Sequence, residues 1–530
     1  MSARKTYWDF PYPSQRMPVL AENVVATSQP LAAQAGLRML LDGGNAIDAA
    51  LAAAIALTVV EPTSNGIGSD AFALVWDGAA LHGLNGSGRS PSAWSRSRFA
   101  GMKEMPRYGW DSVTVPGAVD LWATLHARFG ALPFERLFEP AISYAEGGFA
   151  VSPFTAHRWA ETAEPLGGFD EFTRTFLVDG RPPVAGQWFR CPELAATLSA
   201  IAETRGETLY RGELARYIAD CAAADGGVMT AADLSEHRTE WVAPISLKYR
   251  SVRLHEIPPN GQGLAALVAL GVLRHFDMAS LPPESAESVH LQVEAMKIGF
   301  EVAQRHVADP EIVEGDPLQW LDEDYLARKA HCIQWTRASD ARTERFCDHG
   351  TVYLAAADAG GRMVSFIQSN FMGFGSGVVI PNTGIAMQNR GFGFSLAAGH
   401  PNEVAGGKRP YHTIIPGFVT RGGRPLLSFG VMGGHMQPQG HLQMMVRIFD
   451  HGFNPQAASD APRWQVTEDN ALYLEPGFPN ETFEGLQNRG HRILSGQPFW
   501  GYGGAQLLHR RDRGYAAASD HRKDGQAVGY

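Results

Sequence analysis

Residues 351–371 read TVYLAAADAGGRMVSFIQSNF, two apolar runs at 351–357 and 363–368 separated by a glycine-containing turn. Short, continuous apolar runs bounded by turn residues predict strands buried on both faces. Runs of the same kind at 377–380 and 425–431, again between glycine-rich turns, extend the expectation to a buried sheet.

Upstream the pattern is helical. Residues 31–61 predict two helices broken at Gly43 and Gly44, with Asn45 as the N-cap of an alanine-rich second segment. That segment is apolar on nearly every face, so it belongs inside a layered structure. PTSNGIGSD at 62–70 is a turn leading into a short strand at 71–76. Helical patterns run from 118 to about 234, strand character returns at 242–257, PPNGQG at 258–263 is a loop, and a helix is expected over 284–308. A charge-rich, weakly patterned stretch, 309–350, precedes the opening strand. Downstream, a helix is expected over 441–450 and strands near Leu472 and Tyr515. The order is helix-rich first and sheet-rich second, without internal repeats or low-complexity tracts.

Bulk properties exclude several functions. The 530 residues are 45% hydrophobic and 19% charged, a globular composition long enough for one large layered body. The formal charge is −10 with no long run of either sign, which argues against nucleic acid as a partner. Cys191, Cys221, Cys332 and Cys347 form no C-x-x-C pair, so reduced thiols in a reducing compartment are expected. Residues 1–18 lack the apolar stretch of a secretory signal, and the longest apolar run, 49–60, is shorter than the about 20 residues of a membrane helix. The expectation is a cytoplasmic chain with no membrane partner. GFGSG at 373–377 lacks dinucleotide-binding spacing, and His435 and His441 have no third ligand near them in sequence, so neither cofactor nor metal is expected.

HGTVYLAAAD (349–358), SFIQSNFMGFGSGVVIPNTG (365–384) and QNRGFGFSL (388–396) resemble gamma-glutamyltransferases. The likeness is an ordered series over nearly the whole chain: GGNAIDAALAAAIALTVVEP (43–62), NGIGSDAFAL (65–74), VPGAV (115–119), YRGELA (210–215), EAMKIGF (294–300), VMGGHMQ (431–437) and the terminal SDHRKDGQAVGY. The resemblance implies an α/β (α+β) N-terminal-nucleophile hydrolase, folded as a four-layer αββα sandwich. It implies a precursor that cuts itself between Gly350 and Thr351, giving a helix-rich large subunit region, 1–350, and a sheet-rich small one, 351–530. The two would remain one intertwined unit, a self-cleaved heterodimer, with a dimer of such heterodimers as a further expectation.

The chemistry suits that implication. A threonine hydroxyl needs a base, and the freed α-amine of an N-terminal threonine, titrating near 7.7–8.0, can be that base. The family pattern places Ser369 as a hydroxyl supporting Thr351, and Gly433 and Gly434 as the oxyanion-hole amides, where the absent side chains allow close approach of a carbonyl. Glycine at 350 would tolerate the strained dihedrals that attack on its carbonyl demands.

The acyl pocket departs from the family. The resemblance implies an arginine and two serines for the substrate's α-carboxylate, and an asparagine, a glutamine and an aspartate for its α-amine. Here Gly393 replaces the aspartate, Arg390 the glutamine and Phe371 the asparagine, with Asn370 one residue earlier. His412 and Thr413 replace the serines, and Arg89 lies two residues beyond the arginine position, which Ser87 occupies. Arg89 is expected to reach the site nonetheless, because a guanidinium spans several ångströms. A cation gained and an acid lost disfavour an ammonium on the acyl part and favour neutral or anionic acyl groups, as in the related glutaryl-amide and cephalosporin acylases. The expected activity is therefore self-processing threonine amidohydrolysis or acyl transfer on a small-molecule, gamma-glutamyl-like or glutaryl-like amide, through an acyl-enzyme. Water and an amine both stay open as acceptor. The alternatives are an ordinary gamma-glutamyltransferase or glutathione hydrolase, and a non-catalytic, unprocessed binding homologue.

Overall fold

The structure, a computed structural model, describes residues 15–313, 315–340 and 350–530; Cys347, residues 348–349 and most of 1–18 lie outside the described residues. Two seven-stranded sheets, antiparallel throughout, form its centre. The first runs Gln526–Gly529, Val24–Thr27, Gly350–Ala357, Met363–Phe371, Asp70–Trp76, Leu81–Gly86, Glu240–Val242. The second runs Val19–Ala21, Tyr515–Ser519, Gly504–Arg510, Arg424–Met432, Gly417–Arg421, Val252–Glu256, Ile245–Tyr249. Residues on both sides of position 350 supply strands to both sheets.

The runs that open the sequence argument are buried along their whole length, because each strand is covered on two faces. One face packs sheet on sheet through Phe72, Leu74, Tyr353, Ile367, Phe418 and Leu508. The other face of the first sheet meets helices Pro30–Leu41, Ala46–Val60 and Ala118–Phe129, while Gly263–Leu273 and Met436–Phe449 cover the second sheet, with Ala286–His306 packed on Gly263–Leu273. The expected αββα layering is present.

Helix Ala46–Val60 is buried at every residue, which explains its unpatterned apolar sequence. It begins in a capping box: Asn45 Oδ1 accepts from Ile47 and Asp48 N–H, and Asp48 accepts from Asn45 N–H at 2.9 Å and from Ala131 N–H at 3.1 Å.

Two elements differ from expectation. Residues 377–380 join neither main sheet; only Val379–Ile380 is a strand, paired with Ile385–Ala386, because positive φ at Gly375 and Gly377 bends the chain into a loop. The helix expected from 441 starts at Met436, with Pro438 in the first turn, where its missing N–H costs nothing. No helix among the described residues is long and apolar enough to cross a membrane.

Candidate active site

Thr351 sits where the first sheet is irregular. Gly350 pairs with Phe371 and Val352 with Gln368, so Ser369 and Asn370 together face Thr351 across a β-bulge. Such bulges re-aim side chains at sites of chemistry. Thr351 Oγ1 donates to Ser369 Oγ at 3.2 Å, and Ser369 Oγ donates to the Gly350 carbonyl at 2.7 Å while accepting from Phe371 N–H at 2.8 Å. One hydroxyl thus touches both the threonine and the peptide carbonyl before it. Gly350 is not among the glycines with positive φ. Glycine is required by crowding instead, since a Cβ would lie 2.8 Å from the Thr63 carbonyl oxygen.

Arg390 is completely buried beside this pair. It donates to Ser369 Oγ at 3.2 Å and to Thr413 Oγ1 at 2.9 Å, and its guanidinium lies 4.2 Å from the Phe371 ring centre. No carboxylate contacts it among the described residues. The nearby Asp70 is committed to His412 Nε2 at 2.9 Å and to the N–H groups of Gly88 and Gly117 at 3.0 and 3.1 Å. Burial weakens the Arg390 charge and Asp70 opposes that. A guanidinium keeps its proton in proteins, so the site presents a buried cation without an anion in contact. His412 is pushed down to about 4 by burial and then by Arg390, against Asp70, and is neutral near pH 7.

Gly433 and Gly434 lie between strand Arg424–Met432 and helix Met436–Phe449. Their φ values of +118° and +57° favour glycine. Neither backbone N–H is donated to a protein acceptor among the described residues, whereas the Gly434 carbonyl is held by Gln262 Nε2 at 2.9 Å. Two unspent amides at a helix N-terminus are suited to a developing negative charge.

Two cavities flank these groups. One, of about 260 Å³, is lined by Phe371, Phe392, Gly393, Tyr411, Thr413 and His435, among others. The other, of about 490 Å³, is lined by Thr351 and Gly433 together with Arg158, Tyr473, Trp500 and Lys523, among others.

The sequence pattern of the family described as Gamma-glutamyltranspeptidase matches residues 32–530. The chain belongs to the gamma-glutamyltranspeptidase family. It is 36% identical to the glutathione hydrolase-like YwrD proenzyme of Bacillus subtilis, over 96% of this chain and 98% of that protein. It is 35% identical to the oxamate amidohydrolase proenzyme of Klebsiella pneumoniae, over 94% and 97%. Its fold matches the crystal structure of cephalosporin acylase from Bacillus halodurans with a TM-score of 0.95 at 47% identity, covering 99% of each chain. The protein is an amide hydrolase with the N-terminal-nucleophile fold.

Within this gamma-glutamyltranspeptidase frame, the fold brings together Gly350, Thr351, Ser369, Phe371, Arg390 and Thr413, with Gly393 on the wall of the smaller cavity and Gly433 on that of the larger. Asn370 and His412 line neither cavity: the Asn370 carboxamide accepts from Ser69 Oγ at 2.7 Å, and His412 is held behind the site by Asp70. Arg89 is the clear correction. Its guanidinium is spent on Asp309 at 3.0 Å and Glu311 at 2.7 Å, and it lines a separate pocket without Thr351. Asp309 and Glu311, with Glu240 at 3.8 Å, neutralise the guanidinium where it stands.

Sequence reasoning missed Asp70, Gln262 and Lys523. Asp70 ends the quoted NGIGSD turn and Lys523 lies in the quoted terminal segment, so the signal was present, but no local spacing ties either to Thr351. Among the described residues, His290, Glu294 and His491 bring ligand-type atoms within 4.8 Å of one another. Those atoms are already used: His290 Nδ1 and His491 Nε2 hydrogen-bond at 2.7 Å, and Glu294 pairs with Lys297 at 2.8 Å. His441 is paired with Glu256 at 2.6 Å.

Proposed function

We propose that this amide hydrolase cuts itself between Gly350 and Thr351 and then uses Thr351 to hydrolyse amides whose acyl part carries a distal carboxylate or no charge. The observation that carries the acyl preference is Arg390, a buried guanidinium beside Ser369 and Thr413 with no carboxylate in contact among the described residues.

Processing follows from the hydrogen bonds around the bulge. Thr351 Oγ1 attacks the Gly350 carbonyl carbon, whose oxygen is held by Ser369. The O–C bond forms, the C–N bond breaks, and water hydrolyses the ester to a Gly350 carboxylate and a free Thr351 amine. The relatives' description as proenzymes supports this step. The sheets, built from strands on both sides of 350, would keep regions 1–350 and 351–530 in one body.

In turnover the new amine takes the Thr351 hydroxyl proton and Oγ1 attacks the substrate carbonyl. The N–H groups of Gly433 and Gly434 receive the oxyanion, and removing one such donor typically costs about 10²–10³ in rate. The departing nitrogen takes the proton, and water releases the acyl group. An α-ammonium on the acyl part would meet Arg390 without the family's aspartate, and like charges in a desolvated pocket repel. Arg390 and Gly393 therefore favour glutaryl-like over gamma-glutamyl amides. The free thiols of Cys191, Cys221 and Cys332 support a reducing, cytoplasmic setting.

The test combines denaturing mass spectrometry with a panel of anilides. A fragment beginning TVYLA, and faster turnover of glutaryl than of gamma-glutamyl anilide, are expected. An active chain that stays full length refutes the nucleophile. Faster gamma-glutamyl turnover refutes the acyl assignment, as would an unaltered preference in Arg390→Gln.

A further inference from the structure

Three donors converge on Ser369 Oγ: Phe371 N–H at 2.8 Å, Arg390 Nη2 at 3.2 Å and Thr351 Oγ1 at 3.2 Å. A backbone amide and a guanidinium have no lone pair to offer in return, so the single Ser369 proton cannot turn toward either. With Thr351 also donating, the acceptor left to that proton is the Gly350 carbonyl oxygen, 2.7 Å away. Resting on the self-cleavage read above, we propose that Arg390 is also a positioning residue for that step. It acts through Ser369, keeping the serine proton on the Gly350 carbonyl oxygen, where negative charge develops as Thr351 attacks.

This task is separate from recognition of an acyl group, because self-cleavage precedes any substrate. Charge adds to direction. A hydroxyl that accepts from a cation becomes the stronger donor, and the fully buried Arg390 has no carboxylate in contact among the described residues to weaken its pull. An oxygen already accepting from three donors is also a poor base for Thr351. In the acyl shift the Oγ1–carbon bond forms, the bond between the Gly350 carbon and the Thr351 nitrogen breaks, and the hydroxyl proton ends on that nitrogen, in the new α-amine.

The fold aims the arginine from both ends. Asn389 N–H donates to the Asn370 carbonyl at 3.1 Å, and Asn389 Oδ1 accepts from Met372 N–H at 3.1 Å, so the residue before Arg390 is tied to the chain on either side of Phe371. Asn389 Nδ2 donates to the Arg107 carbonyl at 3.0 Å. At the far end, Thr413 Oγ1 takes Nη1 at 2.9 Å, and the guanidinium rests 4.2 Å from the Phe371 ring centre. Residues 369–372 thus carry both the serine and the anchors of the arginine. A glutamine at 390, as in the family pattern, has a carboxamide that accepts as well as donates, so it would not force the serine proton one way.

The experiment times the appearance of the TVYLA fragment by mass spectrometry after cell-free synthesis, for Arg390→Gln alone and in Ser369→Ala. Arg390→Gln should slow cleavage about tenfold in the otherwise wild-type chain and add no further slowing in Ser369→Ala, because the route through the serine is already gone. Equal slowing in both backgrounds would show a merely structural role and overturn the proposal, as would cleavage at the wild-type rate. Should Arg390→Gln be insoluble, Arg390→Met decides on the same comparison, since a buried cation is often replaced by an apolar side chain of similar length without loss of stability. The two tasks of Arg390 separate cleanly. Normal cleavage with the glutaryl preference lost overturns the processing role and keeps the acyl assignment, whereas slow cleavage with that preference intact does the reverse. A wild-type chain that never cleaves refutes self-processing itself, and the role of Arg390 in it.

Discussion

A single hydroxyl, Ser369 Oγ, meets Thr351 Oγ1, the Gly350 carbonyl, Phe371 N–H and Arg390 at once. Removing it leaves three of these groups to find other partners, so Ser369→Ala should slow both processing and turnover, each by about 10- to 100-fold, as read by the appearance of the TVYLA fragment and by kcat. Thr351→Ala should remain one chain and lose at least about 10³ of the amidase rate, while Thr351→Ser, which keeps the hydroxyl, should still process. Gly433→Ala attacks the oxyanion site through the backbone: at φ +118° an L side chain is strained, and its Cβ would sit 3.2 Å from Gly503 Cα. A fall of about 10² in kcat with a smaller change in KM is expected from steady-state kinetics.

At the level of elements, the bulge between Gly350 and Val352 and the capped helix Ala46–Val60 behind it are the parts that place Thr351. That helix packs directly on the strand carrying the threonine, and its first turn depends on Asp48. Asp48→Ala would leave the N–H groups of Asn45 and Ala131 unsatisfied, costing about 3 kcal/mol in urea unfolding, whereas Asp48→Asn, which keeps one acceptor, should cost about 1 kcal/mol. The helix pair, its break and its cap were legible because Gly43, Gly44 and Asn45 mark them locally. Residues 377–380 misled because an apolar run does not reveal that positive-φ glycines turn it out of the sheet.

For the molecule as a whole, the layered burial makes stability depend on pH. His237, His255 and His412 are pushed down to about 4, and His435 and His491 to about 3, chiefly by burial. The unfolded chain takes up protons near 6.5 while these folded groups do not, so stability is present above that value and is lost as the pH falls toward the folded values. Each fully buried histidine removes up to about 2 kcal/mol between pH 6.5 and 5. A Tm that drops steadily from pH 7 to pH 5, with proton uptake on unfolding by calorimetry, is the expected result. A flat Tm over that interval would contradict it.

Local pattern decided the buried strands, the wholly apolar helix and the ordered motifs of the family, because periodicity and turn residues act within a few positions of themselves. The resemblance carried Thr351, Ser369, Gly433 and Gly434 into view, and the substitutions Arg390 and Gly393 were readable as an altered pocket. Which cations meet the site was a tertiary matter. Arg89, close to the expected position in sequence, is captured by Asp309 and Glu311, more than two hundred residues away. Lys523, near the last residue of the chain, is carried by the sheets to the cavity of Thr351. A long side chain's partner is settled by which charges the fold brings within a few ångströms, and no spacing along the chain encodes that distance.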